Sequence, residues 1–372
     1  MITTMYRQTN VPIIGLQSIV PEVADLEFSS QSEYRPRQEA ARPLPTKLAA
    51  GLFLFIAAIL MAPGVCPTRA AEPATAPVAV PNTQLDPLGP GTHERALVVD
   101  GRHRSYLVHV PPGYDPKKPT PVVLAFHGAF MNGTSMIGFS GLNHKADEAG
   151  FIVVYPNGLG IGQAFLFFNA WSKPGGPGKD PPDDVEFTSK MLDDLETVCN
   201  VDPKRVFATG MSNGGMMSNR LGAELSDRIA AIAPVSGTLA IDQIHPTHPV
   251  PAIIFHGTAD TIVPFGGRRA PDPRSPQFQG VRDTVKAWVE ADGCTPDPTT
   301  TTLPDTAHDG TTVKREEYGS GKDGAEVVLY TIEGGGHTWP GRQPPAAFLG
   351  KSTSDISAND LMWAFFLKHP KK

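Results

Sequence analysis

Six largely apolar runs, at residues 121–126, 151–156, 205–210, 229–235, 252–257 and 327–332, divide the C-terminal three quarters of the chain. Runs that are continuous rather than alternating predict strands buried on both faces, as in a parallel sheet covered by helices. Between and after them the apolar positions change to helical spacing. Phe187, Met191, Leu195 and Val198 share one face, and Val281, Val285, Trp288 and Val289 share another. Ile356, Leu361, Met362, Phe365 and Phe366 mark a final helix, with Ser and Thr at 352–354 as its expected caps. Upstream, residues 96–99 and 105–110 flank Asp100-Gly101, which predicts a hairpin with a tight turn. Strand and helix signals in alternation predict one α/β domain, with a mostly parallel sheet and helices on both faces. No repeat of 20–50 residues interrupts this order, which excludes solenoids and propellers.

The N-terminal part has a different pattern. Residues 48–62, LAAGLFLFIAAILMA, are an uncharged apolar run that follows Lys47 and stops at Pro63-Gly64. It is short for a membrane span and suits the apolar centre of a secretory signal, with small residues at Ala70 and Ala71 for cleavage. Residues 1–71 are therefore expected to be an extension and signal peptide, and the Pro-rich residues 72–92 a linker. The catalytic domain would occupy residues 93–369. Export to the periplasm or medium is expected, with no stable membrane partner once the signal is cleaved; an uncleaved anchor that tethers the domain is the alternative.

The 372 residues carry a formal charge of −6 and no Lys/Arg cluster, which argues against nucleic acid as a partner. Cys66, Cys199 and Cys294 show no metal-ligand spacing, so neither a zinc site nor a disulfide scaffold is expected, and no metal or cofactor is called for. Oligomeric state is not legible in the sequence.

Chemistry enters with Gly210-Met211-Ser212-Asn213-Gly214, a G-x-S-x-G pattern between the strand at 205–210 and a helix-compatible stretch at 213–225. A strand-to-helix turn this sharp exposes a serine hydroxyl and tolerates only glycine beside it. A serine needs a base, and the base needs an acid to orient it. Asp260 follows the strand at 252–257, and His337 follows the strand at 327–332 after three consecutive glycines. The order Ser212, Asp260, His337 is that of the α/β-hydrolase fold. His256 is a competing base, although it sits at the end of a buried strand. The backbone N–H groups of Asn213 and of Ala129, in the turn after residues 121–126, are the expected oxyanion donors. His127 is expected to brace that turn. Trp339 is expected to contact substrate, and the loop at 158–182, with Phe168 and Trp171, either lines an acyl pocket or anchors itself on the core.

Taken together, GMSNGG, HGTADTIVP, GGGHTWPG, AFHG and YPNG resemble the polyhydroxybutyrate depolymerase family of esterases. That family includes LpqC-like secreted proteins and is related to feruloyl and acetylxylan esterases of carbohydrate esterase family one. The resemblance covers about residues 93–369 and implies a single-domain α/β-hydrolase fold and a serine esterase with Ser212, Asp260 and His337 as its triad. Phe168-Asn169-Ala170 and Asp183-Asp184-Val185 match its W-N-A and D-D-V segments, with Phe in place of Trp. It also implies a cysteine near residues 318–321 paired with one near Cys294. This chain has Tyr318-Gly319-Ser320-Gly321, which leaves Cys294 free or paired with Cys199. Short hydroxyalkanoate esters are the expected substrate, and feruloyl or acetylxylan esters are the alternative. A catalytically silent binding protein of the same fold is the reading from another class.

Overall fold

The computed structural model describes residues 87–162, 165–171, 181–268 and 278–372. The expected signal segment and most of the expected linker lie outside the described residues. Strand β1 (Gly91–Val99) begins two residues before the domain start expected from sequence, and it pairs antiparallel with β2 (Arg102–Val110). Asp100 and Gly101 between them both take positive φ, 49° and 70°, as a two-residue hairpin of matching twist requires.

Among the described residues, ten strands form one sheet in the order β1-β2-β4-β3-β7-β8-β9-β12-β11-β10. Its parallel centre is β4 (Ile152–Pro156), β3 (Thr120–Phe126), β7 (Val201–Met211), β8 (Ala231–Val235), β9 (Ala252–Gly257) and β12 (Val327–Glu333). All residues of β3, β4, β8 and β9 are buried, as continuous apolar runs require. Alternate side chains enter two cores: Val122, Leu124 and Phe126 point to one face, Val123 and Ala125 to the other. Helices α3 (Asp184–Glu196), α4 (Asn213–Glu224) and α5 (Val281–Asp292) supply the first core with Phe187, Leu221 and Trp288. Helices α2 (Leu142–Ala149) and α6 (Ala358–Lys368) supply the second with Ala146 and Phe366.

Several local expectations are corrected. The side chain of Ser357, rather than a residue at 352–354, caps α6 by accepting from the Asp360 N–H; Ser352 instead donates to the Trp339 carbonyl. The expected loop at 158–182 contains a small antiparallel hairpin, β5 (Leu159–Ile161) and β6 (Phe165–Phe167). Helices α1 (Gly133–Ser140) and α2, the edge strand β10 (Thr299–Thr302) and its neighbour β11 (Thr312–Tyr318) have no counterpart among the elements expected from sequence. α1 and α2 span only eight residues each and meet at Gly141, which takes φ 65°. Such short segments carry little periodicity. Cys199 and Cys294 are both buried free thiols, which settles the choice between a free and a paired Cys294.

Candidate active site

Strand β7 ends at Met211 and helix α4 starts at Asn213, so Ser212 alone makes the turn between them. It does so at φ 57° and ψ −117°, a region that L-residues avoid unless their surroundings hold them there. Two hydrogen bonds supply that hold: the Ser212 N–H donates to Val235 O, and its carbonyl accepts from the Met216 N–H, both at 2.9 Å. Backbone crowding dictates the flanking glycines. A Cβ on Gly210 would lie 2.4 Å from the Gly214 carbonyl carbon, and one on Gly214 would lie 2.1 Å from Phe126 O. Ser212 is half-buried, whereas Asn213 through Asn219 are buried, so the turn offers one side chain to solvent.

Asp260 follows β9 and His337 follows β12, neighbouring strands in the sheet. Their side chains meet: His337 Nδ1 lies 2.7 Å from Asp260 Oδ2. Asp260 Oδ1 accepts from the N–H groups of Ile262 and Val263, both at 2.9 Å. Burial acts to raise the Asp260 pKa, but the His337 hydrogen bond and charge, His256 and the Val263 amide together carry it below the usual carboxylate value. The carboxylate is thus ionised, and the proton it receives belongs to Nδ1, which leaves Nε2 of His337 as the basic nitrogen. Ser212 Oγ makes no hydrogen bond among the described residues; in free enzymes such bonds are commonly long and tighten with substrate. His256 also approaches this carboxylate, 3.5 Å from Asp260 Oδ2, and is fully buried, with Nε2 donating to Val263 O. Burial lowers its pKa, and with 1% of its surface exposed and Nε2 engaged by Val263 O it is placed as a structural histidine.

The turn after β3 abuts the serine: a Cβ on Gly128 would lie 3.6 Å from Ser212 Cβ. His127 braces this turn, as expected. Its Nδ1 donates to Gly128 O at 2.8 Å, and its Nε2 accepts from the Gly158 N–H at 3.0 Å. Burial pushes the His127 pKa down to about 4, which keeps the ring neutral and able to accept. The N–H groups of Phe130 and Met131 are committed to Leu166 O and Gly128 O. Those of Ala129 and Asn213 have no acceptor among the described residues, the latter as a first-turn helix amide. These two N–H groups, one in the turn that abuts Ser212 and one directly after it in the chain, are the candidate oxyanion donors.

The expected substrate contacts fare differently. Trp339 is 1% exposed, packs edge-on against Phe139 in the second core, and donates its indole N–H to Asn359 Oδ1 at 2.9 Å, so it is a core residue. Phe168 is also fully buried, edge-on to Phe126 and tilted over His127. Its role is to close the elbow from behind: Asn213 Oδ1 accepts from the Phe168 N–H at 2.8 Å, and Asn213 Nδ2 donates to the Phe168 carbonyl at 3.0 Å. Trp171 is half-buried against the first core, which favours the anchoring alternative for it.

Sequence reasoning missed the network behind that anchor. Arg104 and Asp184 form a fully buried ion pair, Arg104 lies 3.7 Å over the Phe187 ring, and Asp184 Oδ2 accepts from the Asn169 N–H at 2.6 Å. Arg220 on α4 donates to the Asn169 carbonyl at 2.7 Å. The only signal for it was the matched pair of segments at 168–170 and 183–185, which prove to be hydrogen-bonded to each other. Among the described residues no group of three His, Cys, Asp or Glu side chains could hold a metal ion.

A carboxylate–imidazole pair, a strained elbow serine and two adjacent free amides can together carry nucleophilic acyl transfer. A family model described as Phospholipase/Carboxylesterase matches residues 184–288. The Nocardia uniformis subsp. tsuyamanensis protein named "Putative esterase NocK" is 35% identical over 341 residues, covering 86% of this chain and 97% of that protein. The chain belongs to the same family as this esterase. The esterase is also 32% identical over 243 residues to Feruloyl esterase B of Piromyces equi, covering 63% of the chain and 42% of that longer protein. Among solved structures, an acetyl xylan esterase from Aspergillus awamori superposes with a TM-score of 0.51 at 19% identity, over 74% of this chain and 99% of that one. This likeness supports the α/β-hydrolase fold of the esterase.

Proposed function

We propose that the enzyme hydrolyses carboxylic esters through an acyl-enzyme on Ser212. Ser212 Oγ attacks the ester carbonyl while His337 Nε2 takes its proton, and the Ala129 and Asn213 amides hold the oxyanion. His337 then gives the proton to the departing alcohol, and a water activated by the same nitrogen releases the acid. Asp260 fixes the tautomer of His337 and stabilises its charged form. The observation that carries this reading is the 2.7 Å Asp260–His337 hydrogen bond, in a chain whose elbow serine is held at φ 57°.

For substrate, the reading is a feruloyl or acetylxylan-type ester, because sequence relatives bear those names. The hydroxyalkanoate reading rests on motif resemblance alone. The apolar run at 48–62 supports export. Among the described residues no helix is long and apolar enough to cross a membrane. Ser212→Ala tests the mechanism: kcat/KM on phenyl acetate falls by at least about 10³-fold with the fold intact. A wild-type rate no higher than that of the variant would favour the silent binding protein. Comparing methyl ferulate and acetylated xylan with hydroxybutyrate oligomers tests the substrate class, and preference for the oligomers overturns it.

A further inference from the structure

Three of the six most exposed large hydrophobic side chains among the described residues lie together: Ile161 at 61%, Phe165 at 55% and Phe130 at 40%. Strand alternation explains two of them. Leu166 faces inward and is buried, so its neighbours Phe165 and Phe167 face outward, opposite Ile161 and Leu159 on β5. Phe130 completes the group, with its ring edge-on to Phe167 at 4.5 Å and to Phe165 at 6.1 Å. A cluster of aromatic faces and edges left in water marks a binding surface more often than a packing accident.

Its position says what it serves. Phe130 directly follows Ala129, and its backbone sits at φ 64°, a left-handed conformation that a bulky residue rarely takes. The hydrogen bond from the Phe130 N–H to Leu166 O and the bridge between Met131 and Leu166 hold it there. At the far end of β6, Phe168 is clamped to Asn213. The aromatic strand is therefore tied at its middle to the residue after one oxyanion donor and, one residue past its end, to the other donor.

We propose that Phe130, Phe165 and Phe167 form a platform that binds a planar aromatic ring carried by the ester, and so set the enzyme's preference for aryl-bearing esters. The proposal rests on the esterase reading. The ring can be on the acyl or on the alcohol side of the scissile bond, and three esters separate the cases: ethyl acetate, with no ring; phenyl acetate, with a ring on the alcohol; and methyl ferulate, with a ring on the acid. Phe165→Ala removes an exposed side chain and so leaves the fold intact. It lowers kcat/KM for one of the ring-bearing esters by roughly tenfold relative to ethyl acetate, mainly through KM, and Phe165→Tyr restores the ratio. Unchanged ratios among the three esters, or a Tyr variant as poor as the Ala variant, overturn the platform while leaving the esterase reading standing. A wild-type enzyme inert to all three overturns both.

Discussion

Asp260→Asn probes the site with a single atom. Asp260 Oδ1 is pinned by the N–H groups of Ile262 and Val263 at 2.9 Å, so only an oxygen can occupy that position. The new amide nitrogen must therefore take the place of Oδ2, 2.7 Å from His337 Nδ1. A nitrogen that donates there obliges Nδ1 to accept and moves the ring proton to Nε2, where it blocks uptake of the serine proton. The substitution also removes the negative charge that stabilises the imidazolium. For a triad held this way the loss in kcat is about 10⁴-fold, or about 5.5 kcal/mol of transition-state stabilisation. Because Asn matches Asp in size and both backbone donors keep their acceptor, KM and the melting temperature should change little. Initial rates on phenyl acetate, with thermal melts as the control, read the outcome. A loss of less than tenfold with an intact fold would refute the argument that Asp260 sets the tautomer of His337.

Other substitutions test the supporting structure. Gly214→Ala drives a Cβ to within 2.1 Å of Phe126 O, backbone that cannot yield without shifting β3 against α4, so both activity and melting temperature should collapse. Arg104→Met leaves Asp184 buried without its cation and should cost about 3–5 kcal/mol in urea unfolding, against a much smaller loss if the pair were exposed. His127 titrates near pH 4 when folded and near 6.5 when unfolded, so the unfolded chain binds the extra proton between those values. Its contribution to stability is full above about pH 6.5 and fades toward pH 4, by up to about 1.4 kcal/mol per pH unit. His127→Gln should flatten that slope relative to wild type in unfolding curves at pH 4.5 and 7; parallel slopes would contradict a neutral buried ring.

The pattern along the chain carried the centre of the sheet because strands buried on both faces leave continuous apolar runs, as in β3, β4 and β9. The order Ser212, Asp260, His337 was legible for a related reason: each residue follows a strand of a sheet whose topology brings strand ends together. What position along the chain could not show was the direction of a side chain in irregular backbone. Trp339 lies two residues from His337, yet it turns into the core toward Asn359. Phe168 turns inward because Asn213, distant in sequence, takes both of its backbone polar groups. The β5–β6 hairpin is not legible in the sequence because strands of three residues among glycines read as loop, and neither is the Arg104–Asp184 pair, whose two members are 80 residues apart.

Covalent trapping shows directly whether Ser212 is the activated nucleophile. A fluorophosphonate ester loses fluoride when an activated serine oxygen attacks its phosphorus, and it leaves a stable adduct that peptide mass spectrometry can locate. With Ser212 as the activated nucleophile, the expected result is a single adduct on Ser212, loss of ester hydrolysis in step with labelling, no label on Ser212→Ala, and slow labelling of Asp260→Asn. A label on another residue that tracks the loss of activity, or full ester hydrolysis in a protein that takes no label, would contradict it.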